Sequence, residues 1–214
     1  MCPHIQNDTG PADTEVMPPT PGSPGAIDEA DGPGATDEPD GAGATAEPDD
    51  AGTIDELLAN NRAFADGLSE RQLDVRPSRR LAVVTCMDSR LDVFAALGLG
   101  DGEAHVLRNA GGVITDDVIR SLAISQRRLG TREVMLIHHT NCGMQTLTDD
   151  GFRAELREDT GVAPAFAIES FSDVDADVRQ SILRVRRCPF LPHRERVRGF
   201  VYDVDTHRLR EVQP

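Results

Sequence analysis

The segment Leu81-Ala82-Val83-Val84-Thr85-Cys86-Met87-Asp88-Ser89-Arg90 decides how the rest of the chain is read. Its first five residues are an unbroken apolar run, the pattern of a strand buried on both faces. Strand-like and helix-like patterns alternate after it. Leu91 to Leu97 reads as a short helix closed by Gly98, and Ala104 to Leu107 as a second strand. Thr115-Asp116-Asp117 can cap a helix running through Ile119, Leu122, Ala123 and Leu129, with Gly130 as its stop. Glu133 to His138 is a third strand, Thr148 to Glu158 a helix, and Asp173 to Arg187 another helix ended by Pro189 and Pro192. Val197 to Val204 alternates as a fourth strand, and a turn at Asp205-Thr206-His207 leads to Leu209 to Val212. This order predicts an α/β fold: a mostly parallel sheet in the order 2-1-3-4, with an antiparallel edge strand, flanked by helices.

Upstream, Thr53-Ile54-Asp55-Glu56 offers a helix cap, and Ile54, Leu57, Leu58, Phe64 and Leu68 recur at helical spacing until Pro77. Residues 1–52 differ in kind. They hold nine of the fourteen prolines and no aromatic residue, and the stretch Gly25-Ala26-Ile27-Asp28-Glu29 returns nine residues later as Gly34-Ala35-Thr36-Asp37-Glu38 and again as Gly43-Ala44-Thr45-Ala46-Glu47. Such a composition cannot bury enough apolar surface to offset ordering entropy, so residues 1–52 are expected to be a disordered acidic tail rich in Pro and Gly. No copy of the repeat has a face to bury, so it predicts no solenoid. Residues 53–214 are expected to form one catalytic domain, long enough to bury roughly 70% of its unfolded surface.

The 214 residues carry 37 acidic and 22 basic side chains, a formal charge of −15, and every basic residue is an arginine. Residues 1–50 contribute 12 of the acids and no arginine, so the excess charge belongs to the tail and the remainder is near neutral. The balance excludes a general binder of nucleic acid or of an anionic membrane, because both need a cationic face. No segment approaches the ~20 apolar residues that span a bilayer. Met1-Cys2-Pro3-His4-Ile5 lacks the basic start and apolar run of a signal peptide, which points to the cytoplasm. Thiols stay reduced there, so Cys2, Cys86, Cys142 and Cys188 are read as packing, catalytic or metal-binding residues.

Two strand ends carry unusual chemistry. The first strand runs into Cys86-Met87-Asp88-Ser89-Arg90, and the third into His139-Thr140-Asn141-Cys142-Gly143-Met144. Sites in open parallel sheets form beyond the carboxyl ends of strands, where the winding reverses. With the first and third strands as neighbours, Cys86, His139 and Cys142 can meet. Two thiolates and an imidazole suit tetrahedral zinc and leave a fourth position open, as catalytic zinc sites do. Beside them, a bidentate Arg90 can hold Asp88 in place and off the metal, and Asp88, if released, can become the fourth ligand.

His138, one place before His139, falls on the opposite face of its strand. Cys188 is expected to pack. The arginines at 184, 186, 187, 194, 196 and 198 read as a solvated ion-pair face, with Asp173, Asp175, Asp177 and Glu195 nearby and no interleaved aromatics. Gly111-Gly112 suits an anion at a helix start or simply a tight turn. Gly143 is expected to let the backbone turn after Cys142.

The pattern resembles the β-class carbonic anhydrases. Their Cys-x-Asp-x-Arg corresponds to Cys86 to Arg90, their His-x-x-Cys to His139 to Cys142, and Arg108-Asn109-Ala110-Gly111-Gly112 is similar to the loop after their second strand. The segment His138 to Met144 is closest to short actinobacterial-type members. The resemblance covers roughly residues 54–214. It implies one Zn2+ per subunit held by Cys86, His139 and Cys142 with Asp88 as an alternative ligand, catalytic roles for Asp88 and Arg90, and substrate contact at Gly111 and Gly112. It further implies reversible hydration of CO2 to bicarbonate and a proton by a zinc-bound hydroxide, and a homodimer or higher homo-oligomer whose N-terminal helix packs on its partner. The family's bicarbonate regulation through a tryptophan-containing pocket is not expected, because the chain has no tryptophan. Relatives with the same ligands hydrolyse CS2 or COS, which leaves that activity as an alternative, beside a non-catalytic zinc- or thiol-sensing module.

Overall fold

The computed structural model describes residues 52–70 and 72–214. The expected acidic tail, its repeat and Cys2 lie outside the described residues, apart from Gly52. Two units are distinguished, one ending at Arg71 and one running from Gln72 to Pro214. In the first, helix α1 spans Gly52–Asp66. Thr53 therefore stands inside the first turn rather than at the cap. The helix ends at Gly67, well before Pro77, so Leu68 lies beyond it. Ile54, Leu57 and Phe64 on α1 are each at least 60% exposed.

The second unit is built on a five-stranded sheet, β1 (Leu81–Cys86), β2 (Ala104–Asn109), β3 (Glu133–His139), β4 (Val197–Tyr202) and β5 (Leu209–Val212), in the order β2-β1-β3-β4-β5. The first four strands are parallel and β5 runs antiparallel on β4. Helices α2 (Val93–Leu97), α3 (Asp116–Arg128), α4 (Asp149–Thr160) and α5 (Val174–Arg187) connect them. The expected sheet order, with its antiparallel edge, is the one observed. Strand alternation sends Ala82, Val84, Val134 and Leu136 into one core with Ile119 and Leu122 of α3 and Val178, Ile182 and Val185 of α5. Val83 and Ile137 face the other way, against Leu91 and Val93. Both faces of β1 and β3 are thus covered, which is why these strands read as continuous apolar runs.

Local chemistry sets the boundaries. Thr115, Thr148 and Asp173 each cap a helix by accepting from its first backbone N–H groups, and Gly98 closes α2 in the left-handed conformation. A Cβ on Gly199 would collide with Val178 and lie 2.8 Å from Ile182, so α5 seats on β4 only because that position is bare. The strands run one or two residues further than their apolar runs suggest: β1 takes in Cys86, β2 reaches Asn109 and β3 reaches His139. Because the chain passes from β1 to β2 on one side and then to β3 on the other, the winding reverses between β1 and β3. The residues at their carboxyl ends border that crevice.

Candidate metal centre

Cys86 ends β1 and His139 ends β3, two strands paired in parallel register from Leu81 with Glu133 to Thr85 with Ile137. Cys142 follows three residues after His139, and its neighbour Asn141 takes the left-handed turn at φ +54°. Asn tolerates that region through its short polar side chain. The chain also turns after Cys142, as expected, in a 3-10 turn over Gly143–Thr146, which Gly143 enters without a positive φ. The outcome is a buried group: one sulfur each from Cys86 and Cys142 and one nitrogen from His139, all within 4.8 Å of one another. The two sulfurs are 4.0 Å apart although 56 residues separate them in sequence.

The imidazole is oriented for this group. Its Nδ1 donates to the Thr140 carbonyl at 2.8 Å, and a carbonyl only accepts, so the proton sits on Nδ1. That leaves the lone pair on Nε2, which is buried and has no hydrogen-bond partner. An orphaned acceptor beside two thiols is costly on its own and fits a soft divalent cation well. The sulfurs are prepared too. Cys86 lies below the ordinary thiol range, held there by the Cys142 thiol and, more weakly, by His139 and the backbone N–H groups of Asp88 and Gly111. Cys142 is pushed up by its hydrogen bond with the Cys86 sulfur and by burial, so the pair favours one thiolate until a cation offsets the second.

Arg90 grips Asp88 with both ends of its fork, Nε to Oδ1 at 2.9 Å and a terminal nitrogen to Oδ2 at 2.7 Å. The same nitrogen donates to the Asn141 carbonyl at 2.9 Å, tying the β1 end to the β3 loop. The Arg90 guanidinium holds the Asp88 carboxyl below the usual carboxylate range. Asp88 Oδ2 lies 3.7 Å from His139 Nε2, so the carboxylate borders the group while both its oxygens are engaged by Arg90.

The two glycines sit behind Cys86. A Cβ on Gly112, at φ +72°, would fall 2.8 Å from the Cys86 nitrogen and 2.9 Å from the Thr85 carbonyl carbon. Gly111 abuts Phe171, Met144 and Val113, which with Ile168 form an apolar cluster around the two cysteines. Residue type and spacing mark Arg108 only as a member of this loop. Its guanidinium donates to the carbonyls of Cys86 at 2.9 Å and Asp88 at 2.6 Å, bracing the turn between them. Contacts to backbone carbonyls leave no spacing signal in a sequence.

Among the residues set aside, His138 and Cys188 fall where the sequence puts them. His138 points to the other face, fully buried, 3.1 Å from Asp177 on α5. Cys188 is buried in the α3–α5 core. Arg184, Arg196 and Arg198 form ion pairs, though with Glu169, Asp116, Glu133 and Glu211 rather than with the neighbouring acids. A cavity of about 620 Å³ in the same unit contains none of the residues of the metal group.

Comparison with known proteins adds four findings. The family model described as "Carbonic anhydrase" matches residues 81–166. Beta-carbonic anhydrase 1 of Mycobacterium tuberculosis is 54% identical over 160 residues, covering 75% of this chain and 98% of the relative. A carbon disulfide hydrolase of Acidithiobacillus thiooxidans is 38% identical over 160 residues, covering 65% of this chain and 80% of the relative. Among solved structures, a carbonic anhydrase from Streptococcus mutans superposes with a TM-score of 0.71 at 45% identity, covering 75% of this chain and 97% of that one.

Proposed function

The chain belongs to the β class of the carbonic anhydrase family, and on that premise we propose that Cys86, His139 and Cys142 hold its zinc ion. It is a zinc-dependent lyase that interconverts CO2 and bicarbonate. The observation that carries the reading is the buried sulfur–nitrogen–sulfur group beside an Arg-clamped carboxylate. Bound there, zinc supplies Lewis acidity, making a hydroxide nucleophile available to attack CO2. Two thiolates neutralise the ion more than three imidazoles would, so activity is expected to rise on the alkaline side of neutrality.

The protein's own groups do the rest. Asp88, held by Arg90, accepts a hydrogen bond from the nucleophile and orients it. Released from Arg90, the Asp88 carboxylate would itself be able to hold the ion, and we therefore assign the working role to the Arg90-clamped arrangement. Phe171, Met144 and Val113 supply apolar walls for an uncharged gas beside Gly111 and Gly112, to which we assign substrate contact. The site works only with reduced sulfurs, and no described cysteine is in a disulfide, which supports a cytoplasmic location. Among the described residues no helix is long and apolar enough to cross a membrane. The exposed apolar residues of α1 support a homodimer in which that helix packs on a partner. The relative from Mycobacterium tuberculosis is matched almost entirely by three quarters of this chain, which supports residues 53–214 as the catalytic domain and 1–52 as an added solvating tail.

Carbon disulfide hydrolases are related at lower identity, and they define the competing substrate. Parallel assays on one preparation separate the two. CO2 hydration should exceed CS2 and COS hydrolysis by orders of magnitude, and preferential turnover of either sulfur gas would overturn the substrate assignment.

A further inference from the structure

The cavity of about 620 Å³ lies at the opposite end of the sheet from the metal group. Arg80 and Arg132, on its lining, immediately precede β1 and β3, whereas Cys86 and His139 end those strands. Six residues of β1 separate the two ends, about 17 Å at ~3.3 Å per residue. Five arginines line the cavity (Arg76, Arg80, Arg127, Arg128 and Arg132) against one carboxylate, Asp74. Arg127 is partly used, donating to the Phe190 carbonyl at 2.8 Å. Among the described residues the guanidiniums of Arg76, Arg80, Arg128 and Arg132 have no hydrogen-bond or ion-pair partner. Glu133, beside Arg132 in sequence, is engaged with Arg196, and Asp74 accepts the backbone N–H of Arg76 at 2.9 Å.

Two arginines at the last turn of α3 would be expected for the helix dipole alone. Dipole compensation does not account for Arg80 and Arg132, which belong to no helix. Arg80 adopts φ +53°, uncommon for a residue with a side chain. Its carbonyl is fixed there by the Arg132 N–H at 2.7 Å, and its own N–H bonds Pro77. The backbone thus holds Arg80 and Arg132 side by side at one rim. Four solvent-exposed arginines whose guanidiniums are unpaired line one cavity of ligand size, the composition of a site for a multiply charged oxyanion. Guanidinium forks match phosphate oxygens bidentately. The one ring on the lining is His193, so the cavity offers little for stacking a base. We propose that this cavity binds a compound carrying a diphosphate group, recognised through its phosphates by Arg80, Arg128 and Arg132. This site is independent of the carbonic anhydrase reading.

The test is calorimetric titration of the zinc-loaded full-length chain with sodium pyrophosphate, adenosine diphosphate and inorganic phosphate at matched ionic strength. Zinc content is measured before and after. Pyrophosphate should bind at one site per chain, at least about tenfold tighter than inorganic phosphate, a difference of about 1.4 kcal/mol. Adenosine diphosphate should bind no tighter than pyrophosphate. R80Q with R132Q should weaken pyrophosphate about tenfold or more, while zinc content and CO2 hydration stay unchanged. R128Q, on the exposed last turn of α3, should weaken it in the same direction and serves if the double variant does not fold. Equal affinity for phosphate and pyrophosphate, affinity untouched by these substitutions, or heat that tracks zinc loss would each overturn the proposal.

Discussion

Arg90 binds both oxygens of Asp88 and holds its carboxyl below the usual carboxylate range, and Arg90 is itself tied down by the Asn141 carbonyl. The isosteric change Asp88→Asn keeps the volume but removes the charge that Arg90 holds and the strong acceptor beside the zinc group. CO2 hydration by that variant should fall about a hundredfold or more, the size of effect typical of positioned acid–base groups. Zinc, bound by other side chains, should remain near one per chain. Stopped-flow rates and metal analysis on one preparation check both halves. At this scale the sequence was informative about which side chains cluster and silent about their supports. Cys86, His139, Cys142, Asp88 and Arg90 announce themselves by residue type and spacing. The Nδ1 bond to Thr140, the bracing by Arg108 and the left-handed Asn141 act through backbone atoms, which spacing does not encode.

At the scale of elements, the site depends on how closely the turn after β2 packs against the end of β1. Gly112 touches the backbone of Thr85 and Cys86 in a conformation that side chains rarely adopt. A methyl group there meets main-chain atoms that cannot rotate away. Gly112→Ala should therefore cost roughly 1–3 kcal/mol of stability, read from denaturant unfolding, and loosen zinc by displacing Cys86. A variant as stable and as tightly metallated as the parent would contradict this reading. The strands and helices themselves were legible because both faces of β1 and β3 are buried and because Thr115, Thr148 and Asp173 are conventional caps. Their ends were less legible. β3 runs one residue past His138 to His139, a polar residue that does not look like strand until one knows that it faces the two thiols. Helix α1 stops at Gly67 for the local reason that glycine disfavours helix, and the more conspicuous Pro77 plays no part in ending it.

For the whole molecule, the sheet edge is joined to its covering helix by a charged clasp. Arg210 on β5 holds Asp175 on α5 through two bonds of 2.6 and 2.9 Å. The guanidinium keeps the Asp175 carboxyl below its ordinary value, so the unfolded chain takes up that proton at a higher pH than the folded one. The contribution is complete above about pH 4 and is lost as pH falls through the lower folded value. Because the pair is partly exposed, it is worth at most about 1 kcal/mol. The Tm difference between the parent chain and Asp175→Asn should accordingly be small and constant near neutrality and shrink below about pH 4. A difference that grew on acidification would contradict the sign. The net charge of −15 sits mainly in residues 1–50, so a chain beginning at Thr53 should keep zinc and activity.

All of this rests on three side chains from two strand ends closing around one metal ion. The most direct measurement is elemental analysis of the purified chain and of Cys142→Ser, with CO2 hydration followed by stopped flow on the same samples. The account predicts about one zinc per parent chain with rapid hydration that rises from neutral to alkaline pH, and loss of both metal and activity in the variant. A parent chain that hydrates CO2 without zinc, or a variant that keeps its zinc and its rate, would contradict it.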